Sequence, residues 1–156
     1  MINAGSSGGL HVGEGREVLK VGDVCTSEQV KFFDREMIIP VYKDYVEGRY
    51  ETTAFDEICR SLGIKKVSIG TTSSFINEHK KEHVENVDIA EMEAAAIGKV
   101  CFWMNTKLFL LKVVSDVKEE NEEKRQKMFE DCLESASITL AKKLHSFLLE
   151  FEKTLA

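Results

Sequence analysis

Phe129, Leu133, Ala136, Leu140, Leu144, Phe147 and Phe151 recur every three or four positions along the end of the chain. That is one stripe at the helical period of about 3.6 residues, and it predicts a single long helix over 120–153. Upstream the pattern changes. Short apolar runs predict strands at Lys66–Gly70, Asp88–Glu91 and Leu108–Val114. The alanine-rich Glu93–Trp103 reads as the helix between the last two, because alanine is the best helix former. Thr53–Leu62 reads as a short helix with Gly63 as its stop. Residues 21–33 alternate well enough for a strand or a bent pair of strands. Residues 34–50 hold the only proline, Pro40, with Tyr42, Tyr45 and Tyr50, and read as irregular. Met1–Ala4 reads as the tail of a strand entering a loop, Gly5-Ser6-Ser7-Gly8-Gly9. Strands alternating with helices make an α/β protein. A strand needs neighbours, so one at Met1 is either an edge or the continuation of an upstream portion.

The bulk numbers narrow the partners. The 156 residues suit one domain with a real core, and 43% hydrophobic and 31% charged residues are ordinary for a globular protein. A net charge of -6 argues against DNA or RNA, whose binders carry basic stripes. No apolar run reaches the length of a membrane span, and Asn3, Gly5, Ser6 and Ser7 interrupt the only apolar start a signal peptide would have. Cys25, Cys59, Cys101 and Cys132 are scattered without a C-x-x-C pair, as expected of reduced thiols in a cytoplasmic protein.

Candidate chemistry gathers where strands end. Glu91 and Glu93 bracket Met92 at the junction of a predicted strand and helix. In open α/β sheets, ligands collect beyond the carboxyl ends of strands. Buried acids there need partners, and sugar hydroxyls suit a group that accepts hydrogen bonds without donating any. Ser115-Asp116 ends the next strand, and either caps a helix or belongs to a site; with the glutamates on a neighbouring strand, a cluster is the better reading. Gly5, Ser7 and Gly9 match G-x-S-x-G, and the order Ser7, Asp116, His145 allows a hydrolase triad. An elbow must turn straight into a helix, however, and residues 10–15 do not form one, so a backbone N–H cradle or a plain turn is preferred. His79-Lys80-Lys81-Glu82-His83 fits a zinc pattern, yet its dense charge marks a solvated helix, and no metal or other cofactor is expected. Phe75, after a third strand end, is placed either to fill the core or to stack on a flat base. A flat base, a diol-bearing sugar and a bond to be protonated would together use this inventory.

These segments resemble the purine nucleoside phosphorylase and nucleosidase superfamily, and within it the plant-type 5'-methylthioadenosine/S-adenosylhomocysteine nucleosidases. The likeness runs through Ile2–Leu10 (INAGSSGGL), Val21–Cys25 (VGDVC), Phe33–Val41 (FDREMIIPV), Phe75–Asn77, Glu91–Ile97 (EMEAAAI) and Val114–Val117 (VSDV). It implies a three-layer α/β/α fold around a central mixed sheet, with the first strands lacking, so that residues 1–156 form the C-terminal part of a larger domain. It also implies hydrolysis of the N-ribosidic bond of 5'-methylthioadenosine, and possible use of S-adenosylhomocysteine, releasing adenine in methionine salvage. Phe75 would pack on adenine and the Ile76 backbone would bind its edge. Met92 and Glu93 would hold the ribose, with Glu91 beside them. Asp116, aided by Ser115, would bond or protonate N7, in a dry pocket with neighbouring carboxylates. Phe129 would line the site, and Ser6 and Gly8 would lie by the attacking water. Phosphorylase relatives carry an arginine where this chain has Asn3, which favours water over phosphate. A phosphorylase, or an inactive remnant, is the alternative. The family is typically dimeric, which implies a homodimer, with Met37–Tyr45 as the candidate contact. A glutamate that activates the water lies upstream in the family and has no counterpart here, so weak binding and poor turnover are expected of the 156 residues.

Overall fold

The computed structural model describes residues 1–10, 18–33, 48–74, 86–119 and 121–155. Eight strands form one mixed sheet: β1 (Ile2–Gly9), β2 (Val24–Thr26), β3 (Gln29–Phe32), β4 (Arg49–Glu51), β5 (Lys65–Lys66), β6 (Ile69–Thr71), β7 (Ile89–Glu91) and β8 (Phe109–Val117). Three helices accompany them among the described residues: α1 (Asp56–Ser61), α2 (Ala94–Trp103) and α3 (Glu122–Lys153). Across the sheet the order is β4-β3-β6-β7-β1-β8-β2-β5.

β8 organises the interior, and it is buried from Phe109 to Asp116. Side chains alternate along a strand, so it serves two cores. Phe109, Leu111 and Val113 join Cys59, Ala136 and Phe147 under α1 and α3. Leu110 and Val114 join Ile69, Ile89, Ala94 and Ala95 on the α2 side. Phe147 stacks on Phe109 with ring centroids 4.3 Å apart, and Phe55 meets both edge-on at 5.3 and 5.2 Å. Helices on both faces of a mixed sheet agree with the α/β expectation.

Chain connectivity forces the sheet to curl. β2 and β3 are joined by Ser27 and Glu28 alone, yet they stand five places apart in the strand order. A flat sheet would separate them by about 24 Å at about 4.8 Å per strand, whereas two linking residues reach at most about 11 Å. The β5–β6 link imposes the same bend, and the Val67 N–H donates to Thr26 O at 2.9 Å across it.

The long helix forms where periodicity predicts and the alanine-rich helix where its composition predicts. α3 starts at the cap Asn121, whose side chain accepts from Lys124 N at 3.1 Å. Gly63 ends the short helix as expected, with φ +64, a conformation that favours glycine. The alternation in 21–33 resolves into the bent pair β2 and β3. Three expectations change. The strand expected at Lys66–Gly70 is two strands, β5 beside β2 and β6 between β3 and β7. The segment expected to be irregular ends in a strand, β4, whose Tyr50 is buried over Gly98. The glycine-rich loop is no loop: β1 runs through it, with a register shift between Ser7 and Gly8. Its glycines serve clearance. A Cβ on Gly8 would meet the Arg125 guanidinium at 2.6 Å, and one on Gly5 would meet Lys112 Nζ at 3.3 Å.

Candidate functional site

A cavity of about 240 Å³ opens where β7 ends beside β1 and β1 lies beside β8. Ser6, Ser7 and Gly8 reach it from β1, Glu91, Met92 and Glu93 from the end of β7, Ser115 and Asp116 from β8, and Arg125 and Phe129 from α3. Ala90 of β7, with Thr72 and Ser74 after β6, completes the described wall. The structure thus brings together Ser6, Gly8, Glu91, Met92, Glu93, Ser115, Asp116 and Phe129. Phe75, Ile76, the Met37–Tyr45 segment and the His79–His83 pattern lie outside the described residues.

The acids do not meet as the ends of neighbouring strands. β1 separates β7 from β8 and runs antiparallel to β7. They converge because Gly8 pairs with Ala90 on one side and with Asp116 on the other. Only a strand of small residues leaves a cavity over that junction.

The two glutamates have different surroundings. Glu91 is wholly buried, with Oε2 2.8 Å from the Nζ of an equally buried Lys112. It also accepts the Thr71 hydroxyl and the Glu93 and Ala94 N–H groups, the last at 2.8 and 3.0 Å. Glu91 therefore stabilises the amino end of α2, where helix N–H groups lack internal partners, and its oxygens are fully used. Glu93 is 61% exposed at the side chain and stands 3.4 Å from Lys112 Nζ. Its side chain lines the cavity.

Asp116 is buried, and its charged neighbour is a cation. Arg125 Nε donates to Oδ2 at 2.7 Å, and Ser115 Oγ donates to Oδ1 at 3.0 Å. Glu91 and Glu93 line the same cavity, as expected of neighbouring carboxylates, and the Arg125 cation is the addition that was not expected. Lys112 and Arg125 are the cations paired with these acids that the sequence reading did not single out. A lone lysine inside the run Leu108–Val114 signals a buried acid partner, whereas Arg125 lies in a highly charged helix start and has no such signal.

The triad does not assemble. His145 is exposed on α3, and Ser7 Oγ donates to Val113 O at 3.1 Å. Among the described residues no cluster of three or more His, Cys, Asp or Glu is placed to hold a metal ion, and no helix is long and apolar enough to cross a membrane.

Residues 1–149 match the model of the phosphorylase superfamily. A 5'-methylthioadenosine/S-adenosylhomocysteine nucleosidase of Exiguobacterium sp. is 31% identical over 159 residues, which cover 91% of this chain and 65% of that protein. The Bacillus subtilis nucleosidase of the same description is 32% identical over 134 residues, covering 75% of this chain and 56% of that protein. The chain therefore spans between about half and two thirds of the length of these relatives. A solved MTA/SAH nucleosidase superposes with a TM-score of 0.82 at 25% identity, covering 94% of this chain and 59% of that one. The apo 5'-methylthioadenosine nucleosidase of Arabidopsis thaliana shares the fold, with a TM-score of 0.81 at 23% identity and the same coverage. With a curled mixed sheet of this topology and a family match over nearly its whole length, the chain belongs to the phosphorylase superfamily.

Proposed function

We propose that the cavity binds an adenine nucleoside, with 5'-methylthioadenosine as the substrate, and that the chemistry is hydrolysis of its N-ribosidic bond. The observation that carries this reading is the pairing in one cavity of an accessible carboxylate, Glu93, with a buried one, Asp116. Glycosidic cleavage develops positive charge on the sugar and negative charge on the base. Glu93 accepts from the ribose hydroxyls and stabilises the charged sugar, with Met92 against it. Asp116 serves the base at N7, its carboxyl plane held by Ser115 and Arg125 from two sides. Phe129 supplies an apolar wall; Phe75 and Ile76 are assigned to the base, and Ser6 and Gly8 to the attacking water. Glu91 has no oxygen to spare and acts by holding Lys112 and α2.

Water is preferred to phosphate as the nucleophile. The described cations at the site, Arg125 and Lys112, are each engaged by a carboxylate, so an incoming phosphate would have to displace one. The relatives described above are nucleosidases by name, which supports the same reading. A cytoplasmic homodimer completes the proposal, and the four cysteines being unpaired agrees with a reducing compartment.

The test is adenine release from 5'-methylthioadenosine, followed chromatographically with and without phosphate. Hydrolysis predicts a free 5-methylthioribose product and rates indifferent to phosphate. A ribose 1-phosphate product would establish a phosphorylase instead. Asp116→Asn should lower adenine release about 10²–10⁴-fold, with a melting temperature lowered by the weakened Arg125 pair but a chain still folded by circular dichroism at the assay temperature, and equal rates would remove Asp116 from the mechanism.

A further inference from the structure

The residue at the N-cap position of α2 does not cap it. Glu93 stands there, and its side chain makes no bond to the N–H groups of its own helix. An N-cap side chain ordinarily accepts from the second or third N–H of the helix it opens. In this chain two other residues take the donors. The Ala94 N–H donates to both oxygens of Glu91, at 2.8 and 3.0 Å, and the Ala95 N–H donates to Thr71 Oγ1 at 2.8 Å. Ala95 is the second helical residue, so the donor within reach of a capping Glu93 is occupied by a hydroxyl from another strand.

The sheet places Thr71 for this. It ends β6 opposite Glu91 in the parallel ladder with β7, and it is 1% exposed. A hydroxyl carries one hydrogen. Because the Ala95 N–H can only donate, the Thr71 oxygen accepts there and its hydrogen goes to Glu91 Oε1. One buried hydroxyl thus caps the helix and holds the buried glutamate together. Glu93 is held loosely by comparison. Among the described residues its side chain bonds to Lys112 Nζ at 3.4 Å, near the outer limit for a hydrogen bond. A carboxylate held so weakly at the positive amino end of a helix turns to any donor left vacant there.

We infer that Thr71 is a positioning residue for ribose recognition: by occupying the Ala95 N–H it keeps Glu93 out of the N-cap role and at the cavity. Without the Thr71 hydroxyl, the Ala95 N–H loses its acceptor, Glu93 turns back along its own helix to supply one, and the sugar loses its carboxylate. The inference rests on the assignment of Glu93 to the ribose hydroxyls made above. It adds to that assignment a side chain that does not itself line the cavity.

The test compares the affinity of the full 156-residue chain for 5'-methylthioadenosine with its affinity for free adenine, by titration calorimetry. The ratio of the two isolates the part of the ligand beyond the base. Thr71→Val should lower that ratio about tenfold, the worth of one hydrogen bond to a charged group, while adenine affinity changes little. Thr71→Ser keeps the hydroxyl and should restore the ratio. In a Glu93→Ala background, Thr71→Val should change the ratio no further, since no carboxylate remains to be displaced. A purely architectural role for Thr71 would lower the melting temperature and leave the ratio alone. Thr71→Ala, which adds no volume, is made beside Thr71→Val so that failure of one to fold leaves the other readable. A folded Thr71→Val or Thr71→Ala chain with the parent's ratio overturns the inference, and so does a ratio that falls equally in the absence of Glu93. A parent chain that binds the nucleoside no better than adenine gives a different answer: it removes Glu93 from the sugar, and overturns the proposed function and this inference together.

Discussion

A lysine with no exposed side-chain surface, bonded to a glutamate with none, is the most consequential pair in the molecule. Removing one partner of such a pair leaves a buried charge and typically costs about 3–5 kcal/mol. Lys112→Met should therefore lower the melting temperature sharply in calorimetry. Adding Glu91→Gln should recover only part of the loss, because Glu91 also serves Thr71 and the start of α2. Sequence reasoning had both acids of the bracket but not the difference between them. Their spacing is symmetrical about Met92, and only Lys112, distant in the chain, decides which one is consumed. Gly8 makes the complementary case. Its missing Cβ is the space occupied by Arg125 beside Asp116, so Gly8→Ala should displace the guanidinium and weaken adenine binding several-fold in titration calorimetry. The Cys59 thiol shows the opposite of activation: burial pushes it above its ordinary range, as suits a core thiol and not a nucleophile.

Elements with strong local signals were legible. α3 has a sustained apolar stripe and a capping asparagine, and it forms within two residues of the expected start. Asn121→Ala should cost about 1 kcal/mol, seen as a lower melting temperature with adenine binding unchanged, because the Asn121 side chain bonds only at the helix start. Only the start of β1 was legible, and its second half was hidden for a physical reason. Glycine and serine clusters ordinarily signal turns, but here small residues are required because Lys112 on one face and the Arg125–Asp116 pair near the strand's end fill the volume that side chains would occupy. Tertiary clearance overrode local propensity. The division of 65–71 between β5 and β6 was hidden in a similar way: strands of two and three residues are too short to show an alternation, and their separate partners, β2 and β7, are remote in the chain.

At the scale of the whole molecule, class was readable and topology was not. Alternating strands and helices announce an α/β fold, but nothing local says that β1 stands between β7 and β8, and that placement assembles the cavity. The sheet then keeps its two faces distinct. On the α3 side Phe109, Phe147 and Phe55 form an aromatic cluster; on the α2 side of the same strand Lys112 gathers the glutamates. The aromatic residues of β8 and α3 thus stand apart from the cavity that Asp116 lines, and substitution should separate their contributions. Phe147→Ala removes a ring stacked at 4.3 Å and buried to 1%. It should cost about 3–5 kcal/mol, a large share of the 5–15 kcal/mol typical of a domain. At a temperature where the variant remains folded, its affinity for adenine should match the parent's, because no atom of the aromatic cluster lines the cavity. Asp116→Asn should instead impair the chemistry at a temperature where the variant is still folded, although the weakened Arg125 pair lowers its melting temperature. If Phe147→Ala lost adenine affinity while still fully folded by circular dichroism, the two faces would be coupled through β8, and the division of labour along that strand would have to be abandoned.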